Sequence, residues 1–302
     1  MLIRTKSIFN KNFIFFTFLF LLAVSLNAKT LHEKTFTVSP GQLIEVEADL
    51  GDIRVRTWDS DEVYIKVTGN RKAEDKVEFH FSQDSDGVYV KAEKEGGSWF
   101  NWFKGIQLKF DIKVPHDFNA QLYTSGGDIY LFDLNGNGEL KTSGGDIEVE
   151  NAVGDFVMKT SGGDVKVAGL VGDAEMGTSG GDVTTRNHVG NSTAKTSGGD
   201  IKLHVQDGKV YGSTSGGDIT LRFEGENKGI KLKTSGGDVK IYASSEFAGD
   251  ADLKTSGGDI RVDVPNSRTN RVRSGRYEGD INGGGAIIEC RTTGGDISIK
   301  EL

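Results

Sequence analysis

The pentapeptide Thr-Ser-Gly-Gly-Asp occurs eight times in this chain and constrains its fold more than any other feature. The first six copies are evenly spaced with a period of about 18 residues, and the later copies follow at slightly longer intervals, as in known repeat proteins. Degenerate copies begin at Arg273 and Thr292. A fixed period of this length indicates stacked supersecondary units, because no single unit could bury its own apolar face. The eight copies begin at Thr124, Thr142, Thr160, Thr178, Thr196, Thr214, Thr234 and Thr255.

Each period contains two segments in which apolar and polar residues alternate, a pattern typical of half-buried strands. One segment follows the aspartate, as in residues 147–149, and the other precedes the next threonine, as in residues 230–232. A second corner, Val-Gly-Asp at residues 153–155 and 171–173, divides the period into two equal halves. The sequence therefore predicts an all-β fold, a parallel two-sheet β-solenoid with coils of about 18–21 residues. A left-handed hexapeptide helix has the same period, but it requires an aliphatic residue where this chain has Lys159.

The glycine pair and the aspartate are the candidate site residues of each corner. A sharp corner between strands is expected to place the glycines at positive φ or in an open extended conformation, which glycine adopts without a Cβ penalty. We predict a structural role for the corner aspartates Asp128, Asp146, Asp164, Asp182, Asp200, Asp218, Asp238, Asp259, Asp280 and Asp296.

Stacking would bring these carboxylates within about 4.8 Å of each other, where two unit charges repel by about 3.5 kcal/mol at an effective dielectric of 20. Turn N–H groups and Ser or Thr hydroxyls could offset this repulsion by capping each carboxylate. A nearby lysine column would help, formed by Lys141, Lys159, Lys195, Lys233 and Lys254. The alternative is Ca²⁺ between coils, as in nonapeptide β-rolls, although the corner lacks the third glycine of their repeat. We expect the capped corner and no resident cofactor or metal, with Ca²⁺ as the alternative.

The N-terminal segment, residues 1–28, predicts export. Basic residues precede an apolar run from Phe13 to Leu26, and the small residue Ala28 closes the segment, which is the layout of a cleaved signal peptide. The run is shorter than the roughly 20 residues of a membrane-spanning helix, so we expect no membrane span after cleavage. The expected location is the periplasm, the outer membrane or the extracellular space.

The charge of the mature chain argues against a nucleic-acid partner. Cleavage removes three basic residues and no acidic ones, which takes the formal net charge from −8 to −11. Binding to phosphates needs a basic face, so we expect no nucleic acid among the partners. The single cysteine, Cys290, cannot form an intramolecular disulfide, and we expect it to be buried and inert.

Residues 29–118 lack the strict repeat but are rich in alternating segments, such as residues 62–69. We interpret them as an irregular β module that caps the first edge of a solenoid of about ten coils at residues 119–302. The module contains the stretch GGSWFNWFKG at residues 96–105. Its aromatic residues are predicted either to fold back as a hydrophobic cap or to form an exposed anchor for a membrane, glycan or protein partner. They are Trp99, Phe100, Trp102 and Phe103.

No pattern in the chain predicts catalysis, and we expect no enzymatic activity. The five histidines show neither metal-ligand spacing nor a pairing with the cysteine. The G-x-S-x-G match at residues 177–181 belongs to the repeat and lacks the strand–elbow–helix context of a nucleophile. Paired carboxylates for glycoside chemistry are the alternative, but a repeat gives its members similar surroundings, whereas a catalytic pair needs one carboxyl set apart. The histidines are His32, His80, His116, His188 and His204.

The export signal, the segment GDIRV at residues 51–55, the segment IKVP at residues 112–115 and the TSGGDI coils together resemble the bacterial putative-adhesin family of β-solenoid domains of unknown function. The resemblance covers about residues 35–302. It implies a role in the cell envelope or at the cell surface and supplies no catalytic residues. The leading hypothesis is an exported non-enzymatic scaffold or binding protein, adhesin-like, with an unidentified protein or glycan partner. The alternative is a glycan-binding or glycan-active β-helix protein.

Overall fold

The computed structural model describes residues 28–94, 105–273 and 275–302, with the backbone alone for residues 271–273. The predicted signal peptide therefore lies outside the described residues, apart from Ala28, as do Trp99, Phe100, Trp102 and Phe103. The described residues form 27 strands and one short helix, α1 (Arg71–Lys76). The predicted all-β class is confirmed.

The strands follow one another along the chain with short connections. The first nine are β1 (Lys29–Thr37), β2 (Leu43–Ala48), β3 (Asp52–Thr57), β4 (Glu62–Gly69), β5 (Val77–Gln83), β6 (Gly87–Lys94), β7 (Leu108–Val114), β8 (Asn119–Thr124) and β9 (Ile129–Phe132). The next nine are β10 (Gly138–Lys141), β11 (Ile147–Glu150), β12 (Phe156–Lys159), β13 (Val165–Ala168), β14 (Ala174–Gly177), β15 (Val183–Arg186), β16 (His188–Val189), β17 (Ser192–Lys195) and β18 (Ile201–Ser213). The last nine are β19 (Ile219–Phe223), β20 (Asn227–Lys233), β21 (Val239–Ala243), β22 (Gly249–Lys254), β23 (Ile260–Asp263), β24 (Ser267–Arg273), β25 (Arg276–Ile281), β26 (Ile287–Arg291) and β27 (Ile297–Glu301).

In the repeat region each strand pairs in parallel with its equivalent one period later. Strands that follow a Thr-Ser-Gly-Gly-Asp corner form what we call the first ladder, in which Ile147 faces Val165. Strands that precede the corners form the second ladder, in which Phe156 faces Ala174. β18 is long enough to pair in both. A third line of single parallel bridges, at Asp117, Asn135, Val153, Val171 and Val189, connects the coils at the second corner. The chain thus winds as a solenoid.

Near each end of the described chain, one coil is inserted between two coils that are not its neighbours in sequence. Strands β26 and β27 lie between the coil of β20–β21 and the coil of β22–β23. At the other end, β2 and β3 lie between β6–β7 and β8–β9. The order of stacking therefore departs from the order along the chain at both ends, which the regular period did not predict.

Antiparallel strands form most of the ladder ends. In the first ladder β4 pairs antiparallel with both β7 and β1. In the second ladder β5 pairs antiparallel with β6, and β25 pairs antiparallel with both β22 and β24. Strands β1, β4 and β5 belong to residues 29–118, the predicted irregular β module, whereas β24 and β25 depart from the parallel pairing predicted for residues 119–302, where the repeat sequence itself degrades.

One core runs through the whole rod. A single cluster of buried side chains extends from Val38 to Ile299, so the predicted N-terminal module and the solenoid share one interior. A small residue in one coil faces a large one in the next. A Cβ on Gly138 would come within 2.3 Å of the Phe156 ring. The glycine makes room for a phenyl ring that is only 1% exposed. This complementarity keeps the interior close-packed although the coils differ in sequence.

Candidate functional site

The corner aspartates form a continuous row in which each carboxylate holds the next coil. In every aspartate of the row except the last, Oδ1 accepts a hydrogen bond from the backbone N–H of the aspartate in the next coil, at 2.8 to 3.1 Å. These bonds offset the repulsion between carboxylates because each negative charge faces an N–H dipole. In order of stacking the row is Asp52, Asp128, Asp146, Asp164, Asp182, Asp200, Asp218, Asp238, Asp296 and Asp259.

Lysines on the first ladder neutralise the second carboxylate oxygen of these residues. Lys166 Nζ lies 3.4 Å from Asp146 Oδ2 and 3.2 Å from Asp164 Oδ2, so one ammonium bridges two coils. Lys202 bridges Asp182 and Asp200 in the same way, and Lys240 bridges Asp218 and Asp238. Six carboxylates thus share three lysines, which occupy alternate coils.

The lysine column predicted from sequence lies elsewhere. Lys141, Lys159, Lys195 and Lys233 end strands of the second ladder, away from the aspartate row. Lys159 pairs there with Glu175 at 2.8 Å, and Lys141 pairs with Glu139. The prediction was wrong because residues adjacent in sequence to the corner threonine belong to the other ladder.

The hydrogen bonds and lysines make three of the aspartates stronger acids. The N–H of Asp182, followed by Lys166, lowers the pKa of Asp164. The N–H of Asp218 and Lys202 lower the pKa of Asp200 in the same way, and the N–H of Asp296 and Lys240 lower that of Asp238. A lowered pKa in the folded state means that the ionised form of these carboxylates stabilises the stack.

The corner threonines form a second row, buried beside the aspartates. Thr160 is 7% exposed. Its Oγ1 donates to the carbonyl oxygen of Gly145 in the preceding coil at 2.8 Å and accepts from the N–H of Gly163 in its own corner at 3.3 Å. The same pair of bonds occurs at the other Thr-Ser-Gly-Gly-Asp corners from Thr142 onward. The sequence carried a signal for this role, since the threonine recurs as regularly as the aspartate.

The second glycine of each corner is required by space and not by a positive φ. A Cβ on Gly163 would come within 2.1 Å of the carbonyl oxygen of Gly145 in the preceding coil, whereas one on Gly162 would come no closer than 3.4 Å to its nearest neighbour. Neither residue has a positive φ; among the repeat glycines, positive φ occurs at the second corner, as in Gly154 at 134°. Of the two expected conformations, positive φ is wrong for the glycine pair, and close backbone approach selects the second glycine.

The second corner contains a further row that the sequence did not reveal. Asn137 Oδ1 accepts from the N–H of Asp155, and Asp155 Oδ1 accepts from the N–H of Asp173 at 2.9 Å. Asn119 begins this row and Asn191 continues it. Because an amide oxygen and a carboxylate oxygen accept equally well here, both Asn and Asp occur, and the shared function is hidden by the change of residue type.

Asp280 lies outside the aspartate row. It belongs to β25, where it faces Asp250 of β22 and Arg268 of β24 in antiparallel register. The degenerate corner before it has Arg276 at the threonine position and Glu278 at the first glycine position. Without the hydroxyl that bonds the preceding coil, this segment forms a hairpin strand on the second ladder.

A model of the Toastrack DUF4097 family matches residues 42–300, which is most of the chain and all of its coils. The chain belongs to this family. The resemblance seen in the sequence is thereby confirmed. A search of curated proteins found no match for this Toastrack chain.

Solved structures similar to this Toastrack protein include adhesins and a lipid-binding protein, all named as putative. A putative adhesin from Bacteroides fragilis is 15% identical, with 90% of this chain and 96% of that chain covered and a TM-score of 0.45. A putative adhesin from Parabacteroides distasonis is 13% identical over 90% and 96% of the two chains, with a TM-score of 0.39. A putative lipid-binding protein from the same species is 15% identical over 91% and 97%, with a TM-score of 0.37. Likeness at this level assigns no function to the Toastrack chain.

The outer face of the first ladder of this Toastrack rod carries one pair of carboxyl groups in a cleft. Glu148 and Glu150 line a depression of about 190 Å³ together with Lys166 and Arg186. Partial burial raises the pKa of Glu148, and the hydrogen bond with the Glu150 carboxyl raises it further. The two acids differ in surroundings, so the repeat does not make all acid pairs alike.

The remaining candidate residues of the Toastrack chain are dispersed. Among residues 28–94, 105–273 and 275–302, His, Cys, Asp and Glu side chains form no group of three that could hold a metal ion. His188 is fully buried, and His204 pairs with Glu224 on the surface. Cys290 is buried, which raises the pKa of its thiol to about 12 and keeps it protonated. Within the same described ranges, no helix is long and apolar enough to cross a membrane.

Proposed function

We propose that this Toastrack protein is an exported, non-enzymatic scaffold or binding protein of the cell envelope or surface, adhesin-like, built on a two-sheet rod with coils of about 18–21 residues. The family match fixes neither its partner nor its compartment. The periplasm, the outer membrane and the extracellular space all fit the predicted signal peptide.

This proposal rests on one observation: the repeated polar groups of the corners form hydrogen bonds within the rod. The aspartate Oδ1 atoms and threonine hydroxyls hydrogen-bond adjacent coils, as at Asp164 and Thr160. Groups with such partners are not available for proton transfer or nucleophilic attack without breaking the stack. The repeat thus supports a rigid frame more than a reaction centre.

The groups left on the outside form regular polar rows suited to binding. The first-ladder face alternates lysine and threonine in successive coils, at Lys166, Thr184, Lys202, Thr220 and Lys240. The corner serines form a second exposed row beside it, as at Ser161 and Ser179. Spacing of about 4.8 Å between equivalent groups would favour an extended partner with many weak contacts over one small ligand.

Cell fractionation of a tagged chain tests the location, and a glycan array combined with a hydrolysis assay tests the activity. We expect the protein outside the cytoplasmic fraction and no turnover of any bound glycan. Retention in the cytoplasm would refute export. Turnover that disappears in Glu148→Gln and persists in Glu175→Gln, a surface control on the second ladder, would establish the glycan-active alternative that the Glu148–Glu150 cleft suggests.

The aromatic residues of the 96–105 stretch remain a prediction. Replacing Trp99 and Trp102 by serine separates the two interpretations. If the aromatic residues form a hydrophobic cap, the replacements should lower the midpoint of thermal unfolding. If they form a binding anchor, the replacements should leave the midpoint unchanged and reduce adhesion of the protein to its partner surface.

A further inference from the structure

The two ladders have four ends, and one of them differs from the other three. The first ladder begins with the antiparallel strands β1 and β4, and the second begins with β5 and ends with β25 and β24. The remaining end is β23, a strand of the repeat itself that pairs in parallel with β27 and has no partner on its other edge among the described residues. Bare edges of this kind are templates for strand addition.

At β23, the polar groups that bond the next coil elsewhere in the rod have no such bond within the described chain. Asp259 Oδ1 is the last acceptor of the aspartate row, and the Asp259 side chain is 76% exposed, against 35% for Asp238 within the row. The carbonyl oxygen of Gly258 receives no threonine hydroxyl, whereas that of its neighbour Gly295 does. Ile147 N–H donates to the carbonyl oxygen of Asp164 in the next coil. The equivalent N–H of Ile260 meets no acceptor in the described residues.

The apolar side chains of this last strand are also incompletely covered. Ile297 and Ile299, one coil inside, are 0% exposed. Their counterparts Ile260 and Val262 pack against the core and remain half-buried. A further strand placed on β23 would cover these two side chains as β23 covers those of β27. Removing their apolar surface from water would favour binding.

Only half a coil can be added here. The second ladder continues past β22 with β25 and β24, and the carbonyl oxygen of Gly275 already receives the N–H of Thr255. The second ladder is therefore closed at the level where the first ladder ends. The open position accepts one strand of the first-ladder type and excludes a complete winding.

We propose that the β23 edge binds one extended segment of another protein as an added parallel strand, and that this segment has the sequence chemistry of the strand half of the repeat, Gly-Asp-(Ile/Val)-x-(Ile/Val). The rod shows what each position does. The aspartate N–H bonds Asp259 Oδ1, and the aliphatic residues cover Ile260 and Val262. The threonine position of a further corner is already taken by Gly275, which faces Thr255. The glycine is demanded because a Cβ at the equivalent position of Gly258 would come within 2.2 Å of the carbonyl oxygen of Gly295.

The outward residue between the two aliphatic positions sets a preference in charge. In the ladder register it lies beside Arg261, whose side chain is 71% exposed and whose described ionic partner is Asp259 at 3.5 Å. An acidic residue there gains an ion pair and a basic one is repelled. A folded second copy cannot supply this parallel segment, because the edge that would face β23 is already paired in the other repeat strands of the first ladder and, in β23 itself, is paired with β27. The occupant is thus a segment of a different protein.

The test uses the purified protein and a labelled synthetic peptide with the sequence of residues 144–150, GGDIEVE, which places glutamate beside Arg261. We expect saturable binding by fluorescence anisotropy, weakened by at least about tenfold, or about 1.4 kcal/mol, when the second glycine of the peptide is replaced by alanine. Val262→Pro should abolish binding, because it removes an N–H that points away from β27, while Val262→Thr, which keeps that N–H, should retain it.

Hydrogen exchange of the wild-type protein gives a readout that does not depend on the folding of either variant. Peptide addition should slow exchange at the N–H groups of Ile260 and Val262 and leave the β1 and β5 edges unchanged. Absence of binding, equal binding of the alanine peptide, or protection at another edge would each overturn the proposal. The proposal goes beyond the envelope function, since the edge is open in whichever compartment the protein works.

Discussion

At the second glycine of each corner, the space for a side chain is already occupied by the preceding coil. A Cβ on Gly181 would lie 2.1 Å from the carbonyl oxygen of Gly163, whereas a Cβ on Gly180 would lie 3.4 Å from its nearest neighbour. We therefore expect Gly181→Ala to lower the free energy of unfolding by about 2–3 kcal/mol and Gly180→Ala by less than about 1 kcal/mol, as overpacking does in other interiors. Urea unfolding of the two variants measures both. Equal losses would show that the torsion angles, and not the close approach, select glycine.

The aspartate row makes a separate prediction at Asp164, whose Oδ1 accepts the N–H of Asp182 at 2.9 Å. Asp164→Ala leaves that N–H without its acceptor and should cost about 1–3 kcal/mol of unfolding free energy, which urea unfolding measures. Asp164→Asn keeps an oxygen acceptor, as Asn137 does at the second corner, and should cost clearly less. If Asp164→Asn lost as much unfolding free energy as Asp164→Ala, the charge of the carboxylate beside Lys166 would matter more than the hydrogen bond.

Calcium offers a third test at the residue scale. The Oδ1 atoms of the row already accept N–H groups, and several Oδ2 atoms pair with lysines. The carboxylate oxygens that calcium would need as ligands are therefore already paired. We expect the same midpoint of thermal unfolding in millimolar Ca²⁺ and in chelator. A midpoint raised by calcium would support the alternative, in which Ca²⁺ binds between coils as in nonapeptide β-rolls.

Among the elements, the coil formed by β15, β16 and β17 differs from its neighbours in its interior. It buries the polar side chains Thr185, His188 and Ser192, where the preceding coil has Val167, Leu170 and Ala174. His188 Nε2 lies 2.8 Å from the carbonyl oxygen of Gly172, while His188 Nδ1 and Ser192 Oγ are buried with no hydrogen-bond partner in the described part of the chain. Unpartnered buried polar atoms destabilise a fold, so we expect this coil to be less stable than the coils stacked on either side of it.

The burial of His188 predicts a dependence of stability on pH. Burial lowers the pKa of His188 below its ordinary 6.5, with a smaller opposing effect of the Gly172 carbonyl and Asp173. The unfolded chain therefore binds the proton more readily, so stability is complete above pH 6.5 and falls as the pH is lowered below it. His188→Leu restores the residue type of Leu170 and should remove this decline between pH 6.5 and 5. Chemical unfolding at several pH values measures it, with surface His80→Leu as the control; an unchanged pH profile in the His188 variant would contradict the account.

The elements themselves were largely predictable from sequence. Period-two alternation marks each strand because one face of every coil lies in the core, as Ile147 and Val149 show. The buried His188 and Ser192 were not predictable, since a repeat suggests the same interior in every coil. The role of the second corner was hidden for a related reason: Asn137 and Asp155 perform one task with two residue types.

For the whole molecule, the order of the coils was beyond what the period could predict. Stacking order depends on which strands pair over long separations, and the alternating pattern is the same whether β27 lies beside β21 or beyond β23. The sequence did contain one local warning, since the segment before Asp280 lacks the threonine and the first glycine of the corner. Loss of those two residues turns the segment into a hairpin and leaves Asp296 to enter the row between Asp238 and Asp259.

Distances along the row of exposed corner residues test the stacked rod most directly. Spin labels on cysteines replacing Ser125 and one second residue report the spacing by pulsed electron resonance, and the buried Cys290 thiol, with its pKa raised to about 12, stays unlabelled. At about 4.8 Å per coil we predict about 19 Å to Ser197, about 24 Å to Ser215, about 34 Å to Thr293 and about 38 Å to Ser256. Thr293 lying farther from Ser125 than Ser256 does would contradict the inserted C-terminal coil, and distances that do not increase from coil to coil would contradict the rod itself.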